Sequence, residues 1–147
     1  MKKVLISLIA LMLANVQAFA FEFDGINLND DHVKITRAIT TKSYVFDPSR
    51  NCLKGNCQGT EIFLSFNLDD VNTKGKVGQM YVEIPMKDEN AAQSCTELLN
   101  VIYHQIGQSD GGIVYSVGSD GTTLTLQKQE GGIKLTYTTP YYQKKKK

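Results

Sequence analysis

The chain has 147 residues, 16 Lys and Arg against 15 Asp and Glu, and a formal net charge of +1. Six of the cations sit at the two ends (Lys2, Lys3 and Lys144 to Lys147), so residues 21–143 hold 10 basic and 15 acidic side chains, a net charge of −5. A body of that sign repels phosphate backbones, which excludes nucleic acid from the expected partners, and the length suits one domain with a real core.

The first element in chain order is an export signal. Met1-Lys2-Lys3 precedes an apolar run from Val4 to Ala14, and Ala18-Phe19-Ala20 offers small side chains to a signal peptidase. The run is shorter than the ~20 apolar residues of a membrane span. Residues 1–20 are therefore expected to be a signal peptide cleaved after Ala20. What remains is a periplasmic or secreted protein without a membrane span, with a single α+β domain over 21–140 and a basic flexible tail over 141–147.

Phe21 to Leu28 reads as a short strand broken at Asp24-Gly25. Val33 to Asp47 is rich in β-branched residues (Val33, Ile35, Thr36, Ile39, Thr40, Thr41, Val45), which favours another strand. Next comes Cys52-Leu53-Lys54-Gly55-Asn56-Cys57. In a compartment that permits disulfides, Gly55 and Asn56 suit a turn that closes a Cys52 to Cys57 ring, with a contribution of about 2 kcal/mol. Such a ring stiffens a loop, and the candidate binding loop consists of Arg50, Leu53, Lys54, Gly55 and Asn56.

Ile62, Leu64, Phe66 and Leu68 alternate with polar residues, as do Met80, Val82, Ile84 and Met86, so each set is one face of a half-buried strand. Between Asp88 and Gly107, Ala91, Cys95, Leu98, Leu99, Ile102 and Ile106 recur at spacings of three and four. That predicts an amphipathic helix with Asp88 as its cap and Gly107 at its end. Cys95 then faces the core, while His104 points to the other side of the helix at about 100° per residue. Three strands follow, Ile113 to Val117, Thr122 to Lys128 and Ile133 to Thr139, joined by turns containing Gly. The expected fold class is α+β: an antiparallel β-sheet of about six to seven strands, ending in a three-stranded meander, with one amphipathic helix packed on one face.

No nucleophile elbow, P-loop or dinucleotide fingerprint occurs, and His32 and the Asp-rich turns lack metal-ligand spacing. No catalytic residue, metal or cofactor is expected. The chemistry points to an exported, non-enzymatic binding protein that meets an envelope or extracellular protein through the Cys52 to Cys57 loop, as an inhibitor, an immunity factor or an envelope-assembly component. The alternatives are an envelope-polymer hydrolase, with carboxylates such as Glu61 and Glu83 meeting across neighbouring strands, and a carrier with a small ligand held between sheet and helix. Lys144 to Lys147, preceded by Tyr141 and Tyr142, suit solvent or an anionic surface. N-terminal sequencing of the protein recovered from the exporting host should begin at Phe21; a chain that still begins at Met1 would show a retained anchor instead.

Overall fold

The computed structural model describes residues 22–28, 30–57, 59–67, 77–109, 111–140 and 142. The expected signal peptide, the segment 68–76 and the lysines of the tail lie outside these residues. No helix among the described residues is long and apolar enough to cross a membrane.

The fold begins with a small hairpin, β1 (Glu22–Phe23) paired with β2 (Ile26–Asn27). Asp24 and Gly25 between them both take positive φ, 48° and 79°, the combination that a tight two-residue turn requires. The following segment corrects the strand expected over Val33 to Asp47, because its first part is a helix, α1 (His32–Thr41). The carboxylate of Asp31 caps α1 by accepting the Lys34 N–H at 3.0 Å, and this bond holds its pKa below the ordinary value. Thr36, Thr40 and Thr41 donate their hydroxyls to the carbonyls of His32, Thr36 and Arg37, four residues back, at 2.7 to 2.8 Å. The β-branched side chains thus find their partners inside the helix. Ile35 is buried, and Ala38 and Ile39 pack against the core. Spacing of three and four outweighs β-branched content here.

Eight further strands form one sheet. They are β3 (Val45–Asp47), β4 (Cys52–Cys57), β5 (Thr60–Asn67), β6 (Gln79–Pro85), β7 (His104–Ser109), β8 (Gly112–Ser116), β9 (Thr123–Gln129) and β10 (Gly132–Thr138), with helix α2 (Glu89–Ile102) between β6 and β7. Their order is β3-β4-β5-β6-β10-β9-β8-β7, and every neighbouring pair is antiparallel. The chain is therefore two units of a helix followed by a four-stranded meander, joined where β6 meets β10. The antiparallel α+β class holds, with more strands than expected and a second helix.

Helix α2 begins as its sequence predicts, with the Asp88 carboxylate accepting the Asn90 N–H at 2.9 Å. It ends earlier. Tyr103 turns to extended backbone (φ −117°, ψ 153°) and buries its ring to 8 % exposure; the stretch from His104 onward, expected to be helical, is edge strand β7. Gly107 lies beside a bulge in that strand rather than at a helix end. The buried side of α2 is Ala92, Cys95, Thr96 and Leu99, so the stripe is rotated from the one expected and Ile106 is solvent-exposed. Leu99 and Cys95 share one apolar cluster with Leu124, Leu126, Ile133 and Leu135 of the sheet. Truncating a fully buried leucine such as Leu99 to alanine costs about 2–5 kcal/mol.

The N-terminal hairpin packs on this same face: the rings of Phe23 and Tyr137 lie 5.8 Å apart. Tyr44 ties the hairpin to the first meander. Its ring lies against Gly55 of β4 so closely that a Cβ there would collide with it. Its hydroxyl donates to Asp24 at 2.8 Å, and the Lys42 ammonium lies 3.4 Å from the same carboxylate.

Burial pushes the Cys95 thiol from 9.0 up to about 11 and the Tyr103 phenol from 10.0 up to about 12. Both groups fold in the neutral form, so their contribution is present below the unfolded pKa and is lost as pH rises through the folded one. Urea unfolding should lose about 2–3 kcal/mol between pH 9 and 11 through Cys95, with a further loss toward pH 12 through Tyr103. Cys95→Val should flatten the first part and leave the second.

Candidate functional site

Period-two alternation gives the eight-stranded sheet two unlike faces. One bears Ile62, Leu64, Met80, Val82, Ile84, Leu124, Leu126, Ile133, Leu135 and Tyr137, all buried, under the helices. The residues between them form the open face. Strand register aligns these into rows that run across the sheet. The first row is Asn67, Gln79, Thr138, Thr123, Ser116 and His104, one from each of β5, β6, β10, β9, β8 and β7. The second is Ser65, Tyr81, Thr136, Thr125, Val114 and Gly107. The third is Lys54, Phe63, Glu83, Lys134 and Gln127.

The rows differ in charge. The first two hold no Lys, Arg, Asp or Glu, and their centre is bonded into place: Tyr81 donates its hydroxyl to Gln79 at 2.7 Å, Asn67 donates to the same amide oxygen at 3.4 Å, and Gln79 donates to Thr138 at 3.2 Å. The charges are gathered in the third row and beside it. The Arg50 guanidinium lies 4.0 Å above the Phe63 ring and 4.0 Å from Glu83, and the Lys134 ammonium lies 4.7 Å above the Tyr81 ring. Phe63, although on the open face, is only 4 % exposed, since Arg50 lies over it.

Two cavities open on this face. One of about 510 Å³ is lined by Gln79, Thr138 and Thr123 of the first row and Tyr81, Thr136, Thr125 and Val114 of the second, together with Ser109, Lys134, Gln127 and Tyr142. The Tyr142 ring reaches that rim because Gly78 has no side chain; a Cβ there would come within 2.7 Å of the ring. The other, about 270 Å³, is lined by Arg50, Asn51, Cys52, Phe63, Ser65 and Glu83. A third, about 610 Å³, lies elsewhere, between the start of α2 and the turn from β9 to β10.

The expected binding loop is not a loop. Cys52 to Cys57 is strand β4, paired on one side with β3 and on the other with β5. Five steps of extended chain separate the two Cα atoms by about 16 Å, beyond the roughly 7 Å that a disulfide spans, and the Cys52 thiol is free. The expected ring is thereby corrected. Gly55 and Asn56 serve other ends: Gly55 seats Tyr44, and Asn56 accepts the Gly59 N–H at 2.8 Å, bracing the turn into β5. Leu53 packs against the core, and Lys54 pairs with Glu61 at 3.2 Å. Of the named loop residues Arg50 lines the smaller of the two cavities on the open face, from a turn held by Asp47, whose carboxylate accepts from the Ser49 hydroxyl at 2.6 Å and the Ser49 N–H at 2.9 Å. The hydroxyl bond holds Asp47 below its ordinary pKa.

Glu61 and Glu83 both lie on the open face, each beside a cation. Cys95 is in the core while His104 is exposed on β7, so the two cannot act together. Among the described residues no three of His, Cys, Asp and Glu converge as metal ligands. The residues that sequence reasoning missed are Gln79, Tyr81 and Thr138. Their outward positions were legible from alternation, but their meeting in one row was not.

Desolvation first, and then Asp47 and Glu83, raise the Cys52 thiol above its ordinary pKa, so it is protonated at neutral pH. Unfolded without reductant, the protein should be fully alkylated at Cys52, as read by peptide mass; a peptide carrying a Cys52 to Cys57 bridge would contradict the β4 pairing. Comparison with protein-family models, with curated proteins and with solved structures finds no match, so the reading of this face rests on its own geometry.

Proposed function

We propose that this chain is an exported, non-catalytic binding protein that engages its partner with the open face of the sheet. The observation that carries the reading is the division of the sheet. One face is spent on the apolar core, while the other holds two uncharged rows of hydrogen-bonding side chains around a cavity of about 510 Å³, a size common for binding sites. A sheet face needs only solubility to face water, and scattered lysines and glutamates meet that need. Two rows without Lys, Arg, Asp or Glu, in which the Gln79 amide is bonded to Asn67, Thr138 and Tyr81, are instead arranged for contact, because side chains already held lose less entropy on binding. The acidic residues suit this reading better than hydrolysis. Glu61 and Glu83 are about half exposed, and each is engaged with a cation, Lys54 and Arg50 respectively.

Photo-crosslinking in the exporting host tests the reading. A photoreactive side chain at position 136, on the open face, should give higher-mass adducts. The same group at position 101, where Val101 is 83 % exposed on α2, should give few. Adducts at 101 and none at 136 would move the binding surface to the helical side and overturn the proposal.

A further inference from the structure

The row Asn67, Gln79, Thr138, Thr123, Ser116 and His104 crosses six adjacent strands. We infer that it is the binding track of an extended, uncharged polysaccharide ribbon of the β-linked kind; the inference rests on the open face being the binding surface, as proposed above. Amide, hydroxyl and imidazole groups each offer both donor and acceptor capacity. A ligand that meets the capacity left beside the bonds among Asn67, Gln79 and Thr138 presents donors and acceptors together. Sugar hydroxyls do so. Polyanions such as phosphate and carboxylate polymers carry fixed negative charges that call for cations, and the row contains neither lysine nor arginine. In the third row, Glu83 stands between Phe63 and Lys134 in register, so no purely positive track lies alongside.

Length favours a chain over a single sugar. Six strands at about 4.8 Å spacing make a track of roughly 24 Å, and the parallel row through Tyr81, Thr136 and Thr125 widens it. The track is continuous in register across the six strands, which suits an extended ribbon over a compact coil. Thr methyl groups, Val114 and the edge of the Tyr81 ring supply apolar contact for the C–H faces of the sugars. A protein partner is the poorer fit, because protein interfaces are anchored by aromatic or large apolar side chains. The large exposed apolar residues (Val33, Val45, Phe46, Val101 and Ile106) all lie outside this row.

Affinity electrophoresis of the mature protein decides the matter, with gels containing soluble mixed-linkage β-glucan, dextran as an α-linked coil, or alginate as a polyanion. β-Glucan should retard the protein to an extent that added salt leaves unchanged, since no charge is neutralised, while dextran and alginate should not. Gln79→Ala and Ser116→Asp should each weaken retardation about tenfold, the scale of one or two lost hydrogen bonds. Ser116 is exposed near one end of the row, so its variant keeps the test open if Gln79→Ala disturbs the fold. Equal retardation by dextran overturns the ribbon, and salt-sensitive retardation by alginate alone overturns the uncharged ligand. Absence of retardation in every gel, with crosslinks at position 136 intact, overturns the polysaccharide and leaves the binding face standing. Loss of both removes the two together.

Discussion

Everything on the open face depends on the pairing of β6 with β10. Those strands run antiparallel from Gln79 opposite Thr138 to Pro85 opposite Gly132, and among the described residues no other strand pairing joins the two meanders. Side-chain direction repeats every two residues, so a slip of one position would turn Leu135 and Tyr137 toward water and Thr136 into the core. The register is thus held by the burial of Met80, Val82, Ile84, Ile133, Leu135 and Tyr137, all between 0 and 1 % exposed. It is also held at one end by Gly132, where the Ile84 carbonyl leaves no room for a side chain.

The pairing is possible only because α2 removes the chain from β6 and delivers it to the far edge of the sheet. From there three successive hairpins bring it back, so that β10 arrives beside β6 instead of β7. Helix α2 is consequently both a connection and a lid: its Cys95 and Leu99 complete the core on the face that α1 and the N-terminal hairpin also cover. With α1 and α2 both on one side, the polar residues of β5 to β10 align on the other.

The two edges of the sheet are treated differently. β3 has three residues and ends at Asp47-Pro48, a short strand stopped by a charged side chain and a residue with no N–H. β7 has six exposed residues and a register shift between Gln105 and Gly107, a bulge of the kind that twists an edge out of line with a would-be neighbour. Both arrangements limit edge-to-edge association.

Much of this was legible in local pattern. The faces of β5, β6, β9 and β10 follow from alternation alone, because the pleat imposes period two wherever one side is buried. The Asp88 cap is likewise a matter of four consecutive residues. Segments without a dominant period were decided elsewhere. Val33 to Thr41 has strand-forming residues, yet folds as a helix because Ile35, Ala38 and Ile39 can meet the core together and the threonines bond back along the chain. His104 to Ser109 has no apolar face of its own, so its backbone is extended only because β8 offers the hydrogen bonds. Cys52 to Cys57 contains a fair turn sequence, but β3 and β5 satisfy its backbone from both sides and hold the cysteines apart. The sequence by itself thus determined which side chains face water on each strong strand. Only the tertiary structure decided that Asn67, Gln79, Thr138, Thr123, Ser116 and His104 stand in one row, because strand order joins residues dozens of positions apart through backbone bonds that no local pattern encodes.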